Sequence, residues 1–415
     1  MKSLPHLFIS ALLIGGLLSC GKSSLKKAGS GGGKTLVLSA VEQQKVVTDN
    51  AFTFKLLKNI AANDSSGDNI FISPLSVSFA MAMTSNGSGG QTLAAIRNAM
   101  DFNGFSQEVL NSYYNKLLTD LPELDPNTTI NIANSIWYKQ GFDVLPQFLS
   151  TNSTYYNAQT AALDFSSATA PQTINSWVNT QTNGKITSIV SQIPSNAVMY
   201  LINALYFKST WKESFDPSQT KTQSFYVNAS STVQASLMSA TVDINSYYDN
   251  DVTVFEMPYS NSKYSMVIVL PQYDKTLADI SPALDSAKWA GWMAALHPLK
   301  QAITIPKFTF SYGVTLNDAL TAFGMGVAFG DGANFTGISP QGLEISQVKH
   351  KAFIAVDESG TEAAAVTSVG VVTSIAEQGG NYIVNRPFIF AIREMNTGLV
   401  LFTGVVNNPL LTGSN

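Results

Sequence analysis

The chain carries little of the chemistry that cysteine and histidine supply. It has one cysteine, Cys20, and three histidines in 415 residues, and His6 lies in the N-terminal segment. A single cysteine cannot close an internal disulfide, and His297 and His350 alone cannot build a protein zinc site. No metal or other cofactor is expected. No Gly-x-Ser-x-Gly nucleophile turn occurs anywhere, and His350 sits in Val348-Lys349-His350-Lys351-Ala352 without such a partner. A serine hydrolase triad needs that constellation, so the chain is not read as an enzyme. His350 reads instead as a structural histidine between strands, and His297 as a surface residue after a helix. Charge is sparse as well. The net charge is −4, with acidic and basic residues scattered and no basic block, which argues against a nucleic-acid partner.

Residues 1–19 start with Lys2 and continue through the apolar run 7–18, too short and poorly flanked to span a membrane, and read as a secretory signal. The run ends in Leu17-Leu18-Ser19-Cys20-Gly21, which looks like a bacterial lipobox. Cys20 is then expected to be lipidated and to anchor an exported chain to the cell envelope. Gly21 lacks the aspartate that retains many lipoproteins at an inner membrane, which favours an outer membrane or the cell surface. Residues 20–45, with Gly29-Ser30-Gly31-Gly32-Gly33, read as a flexible tether. No strand precedes the glycines, so they are not read as a phosphate loop.

What is abundant is apolar sequence, 45% of the chain, enough to bury a large core. Helices are predicted at 46–63, 75–85, 91–100, 106–121 and 171–181. An apolar element at 70–72 runs into Ser73-Pro74, and strands are predicted at 129–138, 197–207, 224–227, 252–257, 264–270, 302–310, 351–356, 382–393 and 399–406. Helices cluster early and strands late, which argues for an α+β fold with large mixed or antiparallel sheets. No internal repeat or boundary interrupts 46–411, so one large domain is expected. The run Gly324 to Gly330 lacks dinucleotide-fingerprint spacing and reads as a helix ending in glycines.

The segment from Glu358 through Gly360, Thr361, Glu362, Ala363, Ala364 and Ala365 to Thr367 puts tiny side chains where packing residues belong. Alternate positions separate Thr361, Ala363 and Ala365, a face that can be buried in a sheet, from Gly360, Glu362 and Ala364, a face against solvent or a covering element. A segment patterned as a strand within a loop suggests two conformations. An ordinary edge strand and loop is the plainer reading.

Four separated segments together resemble the serpin family of protease inhibitors over about 46–411. They are Asn69 to Ser76 (Asn-Ile-Phe-Ile-Ser-Pro-Leu-Ser), Leu201 to Trp211 with Phe215-Asp216-Pro217, Glu358 to Ala365, and Asn385-Arg386-Pro387-Phe388-Ile389-Phe390 through Gly404 to Pro409. The resemblance implies the serpin fold with an exposed reactive-centre loop at about 358–386. It implies a polar cluster of Ser73, Ser76, Asn203 and His350 under the main sheet that controls strand separation. It also implies a second cluster of Trp211, Lys307 and Glu358 where the loop begins to insert. In that family the target protease acylates itself on the loop, and the cleaved loop enters the sheet as a new strand, a known instance of strand addition. The inhibitor is consumed once. The small hinge residues favour this trap, with Glu362 pointing outward, although Val366 is bulkier than is usual at its place. The alternative is a non-inhibitory serpin acting as a surface binding or carrier protein.

The family's spacing places the cut near Ser374, with Thr373, Ile375 and Ala376 as the other candidates. No Lys or Arg lies across 371–376, which favours elastase-like or subtilisin-like serine proteases over trypsin-like ones. A papain-like cysteine protease also forms the acyl intermediate the trap needs. Residues 106–121 carry Lys116 as their one basic side chain, so no heparin site is expected, and the chain is expected to be a monomer.

Overall fold

The structure, a computed structural model, describes residues 33–362 and 381–413. The signal, Cys20, most of the tether, Ala363 to Ala365, Val366 and the scissile candidates Thr373, Ser374, Ile375 and Ala376 lie outside the described residues.

Folded structure begins earlier than the tether reading allows. Helix α1 (Ala40–Asn63) opens at a capping box, in which Ser39 Oγ accepts from the Glu42 amide and Glu42 Oε2 accepts from the Ser39 amide. Ser-x-x-Glu is a helix-start signal in its own right, and Leu36, upstream of it, is already fully buried. The glycine run also ends in Gly33-Lys34-Thr35, the close of a phosphate-loop pattern. Lys34 pairs with Glu123, however, and among the described residues no helix opens directly after it, α1 starting at Ala40, so the helix N-terminus that a phosphate loop needs does not follow.

Helix α2 (Pro74–Ser85) has Pro74 in its first turn and an N-cap at Ser73, whose Oγ accepts from the Ser76 amide. It is apolar nearly all round, and every residue except Ala80 is buried, as such a helix must be. Then come α3 (Gly90–Ala99), α4 (Gln107–Asp120), α5 (Pro146–Tyr156) and α6 (Ala170–Gln181), and later α7 (Leu277–Ile280), α8 (Ser286–Ala295) and α9 (Asn317–Leu320). Gly324 does end a helical segment, at φ +97°.

The strands form two sheets. One joins β1 (Ile70–Ile72), β5 (Lys221–Asn228), β6 (Ser231–Tyr248), β7 (Val252–Pro258), β8 (Tyr264–Pro271), β9 (His297–Pro306), β13 (Tyr382–Ile383), β14 (Phe388–Glu394) and β15 (Val400–Val406). The other runs β10 (Phe308–Thr315), β11 (Lys349–Asp357), β12 (Gly360–Thr361), β4 (Met199–Thr210), β2 (Thr129–Lys139) and β3 (Gln159–Leu163) in spatial order. Helix α2 packs against β4 of the second sheet and β15 of the first. Phe71 stacks on Phe402 with ring centroids 5.2 Å apart, and Phe207 from β4 meets the same ring edge-on.

Several strand expectations change. The predicted strand 382–393 is two, β13 and β14, separated by residues 384–387, which end in a proline that has no amide to donate to a ladder, and β3 was not predicted. The run 302–310 is two strands in different sheets, β9 and β10, which part at Lys307. The eighteen-residue β6 was passed over because Ser, Thr, Gln and Asn dilute its alternation. It pairs with β9 from Leu237 to Ser246, while its two ends serve β5 and β7.

Helix α1 is tied to α4 by a buried charge cluster. Lys45 Nζ lies 2.6 Å from Asp49 Oδ1, and both residues are almost wholly buried. Asp49 also accepts from the hydroxyls of Tyr113 and Tyr114 at 2.9 and 3.2 Å. Removing one member leaves a buried ammonium and two buried hydroxyls without their acceptor. Asp49→Ala should therefore destabilise the chain by about 3–5 kcal/mol. Urea denaturation should show that Asp49→Ala with Lys45→Met costs less than Asp49→Ala alone.

Candidate functional site

The turn from β11 into β12 is built by Asp357. Its Oδ1 accepts from the amides of Ser359 and Gly360 at 2.8 and 3.2 Å, which reverses the chain through Glu358-Ser359. The reversed chain enters the main sheet between β11 and β4. Thr361 pairs with Val356 on one side and Ser209 on the other, and Gly360 pairs with Asp357 and Thr210. Only glycine fits at 360, because a Cβ there would lie 2.1 Å from the Ser209 carbonyl oxygen.

The surrounding side chains fasten this entry. Lys307 Nζ donates to Glu358 Oε2 at 2.7 Å, and Thr220 Oγ1 donates to Oε1 at 2.7 Å. Burial pulls the Glu358 carboxyl up, but the bonds from Lys307 and Thr220 outweigh it and hold the group below the ordinary glutamate range. Trp211 Nε1 donates to the Asp357 carbonyl at 2.9 Å, and its ring stacks on Tyr259 with centroids 4.6 Å apart. The Tyr259 hydroxyl in turn bonds Thr361 Oγ1 at 2.5 Å. Trp211, Lys307 and Glu358 thus meet around one turn. Tyr259, Thr220 and Asp357 complete the group, and the sequence reading missed all three. The available signal was Thr361, a polar residue on a face read as buried, which requires a polar partner.

Thr361 faces the core and Glu362 the opposite side of the sheet. Glu362 does not point into solvent, however: its side chain is 2% exposed, under the segment that follows α6, with Lys185 Nζ 3.9 Å away.

Below Thr361, β4 and β11 share no ladder, and among the described residues only the two of β12 pair between them. A cavity of about 80 Å³ lies along this seam, lined by Leu201, Asn203, Val348 and His350, with Ser76 and Ala80 of α2 as its floor. The four residues expected to cluster here are near one another but do not form one closed network. His350 Nε2 accepts from the Ser73 amide at 3.0 Å, and Ser73 Oγ donates to the Leu401 carbonyl at 2.9 Å. Ser76 Oγ reaches the Asn203 carbonyl at 3.5 Å. The Asn203 amide instead turns to Asn134 Oδ1 at 2.8 Å, and its own Oδ1 has no partner. His350 and Asn203 therefore stand on opposite sides of the seam, and Asn134 was missed. His297 is exposed at the start of β9.

Burial pushes the His350 imidazole down from 6.5 to about 4, so it is neutral and accepts at Nε2. Above pH 6.5 the folded and unfolded chains are both neutral here, and the full stability holds. Between 6.5 and about 4 only the unfolded imidazole takes a proton, so stability falls with pH by on the order of 3 kcal/mol. Denaturation midpoints across that window should slope in wild type and flatten in His350→Gln. A second variant reads the hinge: Gly360→Ala should expel β12, seen as a red shift of Trp211 emission and faster proteolysis around residue 360.

The family model described as "Serpin (serine protease inhibitor)" matches residues 47–409. Human neuroserpin is 33% identical over 356 residues, covering 82% of this chain and 86% of the relative. Bovine leukocyte elastase inhibitor is 32% identical over 380 residues, covering 88% of this chain and all of the relative. Among solved structures, human thyroxine-binding globulin superposes with a TM-score of 0.82 at 29% identity, covering 89% of this chain and 100% of that one. A main sheet in which the start of the loop pairs between β11 and β4, and a family match over nearly the whole folded chain, agree: the chain belongs to the serpin family.

Proposed function

We propose that the protein is a single-use protease trap, tethered to the cell envelope through lipid on Cys20, that inserts its cleaved loop into the seam between β4 and β11. The observation that carries this reading is β12: Gly360 and Thr361 already pair as a strand between β11 and β4, and among the described residues nothing else pairs in that position below them. Serpins are inhibitors of proteases, not catalysts, and their usual partners are serine proteases. A serine hydroxyl of the target attacks a loop carbonyl near Ser374, the peptide bond breaks, and the new amine leaves. If the loop inserts before water hydrolyses the ester, the protease stays acylated and is carried along the sheet.

The small apolar residues across 371–376 fit elastase-like or subtilisin-like proteases. The likeness to leukocyte elastase inhibitor agrees with that choice. A papain-like cysteine protease, which also forms an acyl intermediate, is a further target class. The envelope location rests on the lipobox resemblance alone, with an outer membrane or the cell surface favoured by Gly21.

A second reading, a binding or carrier protein, is favoured by the likeness to thyroxine-binding globulin. One experiment separates the two. Mixing the chain from residue 33 onward with elastase and with subtilisin should give a complex that survives denaturing gels, and mass spectrometry should place the cut between 372 and 377. Cleavage without a complex for any protease, and without a rise in melting temperature, would overturn the trap and leave the carrier.

A further inference from the structure

Glu362 stands where β12 stops. Its amide still donates to the Ala355 carbonyl at 2.8 Å, and there the backbone turns left-handed, with φ +53°. A residue with a Cβ takes that conformation only against a steric cost, so something must hold it. Its side chain lies between the sheet and the segment after α6, 2% exposed, and Oε2 has no hydrogen-bond partner.

Charged and titratable groups face this carboxyl from two sides. From β4 come the Tyr206 hydroxyl and Lys208, and from the segment after α6 comes Lys185. β11 contributes the ring of Phe353, over which Lys185 Nζ rests at 4.9 Å. Lys185 is 39% exposed and 3.9 Å away, so it is a weak, solvent-screened partner for an anion. Burial dominates and pushes the carboxyl up to about 7, with Lys185, Tyr206 and Lys208 only partly offsetting it.

We propose that Glu362 is a positioning residue that acts as a proton-operated stop for the hinge. Neutral, it fits the covered site and keeps Thr361 in the sheet; ionised, it favours withdrawal of Gly360 to Glu362 from the seam. The sign follows from linkage. The inserted hinge binds a proton more tightly than a withdrawn, solvated one, so insertion is favoured at low pH. That preference declines as pH rises from the ordinary glutamate value through about 7. The consequence for trapping, a free loop whose length depends on pH, rests on the inhibitory reading. The stop itself is a property of the uncleaved chain.

The test follows Trp211 emission of the uncleaved full chain, without protease, from about pH 5.5 to about 8.5. The Trp211→Phe variant supplies the background, and Gly360→Ala the signal of an expelled hinge. Wild type should move toward the Gly360→Ala signal with a midpoint between the ordinary glutamate value and about 7. Glu362→Gln should stay at the acid-side signal throughout. Lys185→Met should shift the midpoint upward, because losing the cation favours the neutral acid. If wild type and Glu362→Gln titrate alike, or Lys185→Met lowers the midpoint, the stop is overturned while the trap reading stands. A Glu362-dependent transition in a chain that forms no covalent complex with any protease supports the stop and overturns the trap.

Discussion

The structure depends on one place, the strand position between β4 and β11, which among the described residues only Gly360 and Thr361 occupy. A sheet interior with a vacant position forgoes a row of backbone hydrogen bonds and leaves apolar floor accessible, as the cavity over α2 shows. Such a fold persists only if closing the gap is obstructed or slow. Here the top is held apart by β12, and the two sides of the seam are bonded elsewhere. Asn203 on β4 turns to Asn134 on β2, while His350 on β11 turns to the start of α2. Each side is bonded to its own neighbours, with Asn203 Oδ1 left unpaired among the described residues, so neither of these bonds pulls the gap shut.

The polar groups at the two ends of the seam act differently because they are solvated differently. Lys307 at the top is 39% exposed, and its bond to Glu358 holds a turn on the surface, where a single ion pair is worth little. It gains from company: Thr220 takes the other carboxylate oxygen, and the Phe215 amide takes the Glu358 carbonyl. His350 at the bottom is buried and uncharged, so its bond to the Ser73 amide is made in a poorly solvating setting, and losing it leaves a helix N-terminus short of an acceptor. On the proposed reading, the top cluster fastens a segment that has to move. The lower one fastens the floor on which movement occurs.

How much of this was legible in the sequence varies with the range of the interaction. The apolar helix α2 could be read from its composition and from Ser73-Pro74, a local start signal. β7, β8 and β15 could be read from dense apolar runs bounded by turns. β6 could not, because its long polar-diluted run is stabilised by three partner strands, none of them visible locally. Lys307 shows the converse failure: an unbroken β-prone run conceals a change of sheet, and periodicity carries no information on which neighbour a strand chooses. In the site, Trp211, Lys307 and Glu358 were named together only through the family resemblance. Tyr259, Thr220 and Lys185 had no such cue. The cover over Glu362 was invisible for the same reason, since alternation tells which face a side chain takes and not what lies against it.

The dimensions of the seam also bear on what the loop can do. Below Ser209, β4 continues through residues 199–208, and at roughly 3.3 Å per residue that edge is about 33 Å long. Ser374 lies twelve residues beyond Glu362 in sequence. On the proposed reading, a strand running from Thr361 to the cut is therefore long enough to line the edge of β4 down to Met199 with three residues to spare. The acylated end would then reach the far end of the sheet. A cut much nearer the hinge would leave the lower seam empty, with Asn203 Oδ1 still unpaired. The length match thus ties the expected position of the scissile bond to a feature of the sheet that the loop sequence does not contain.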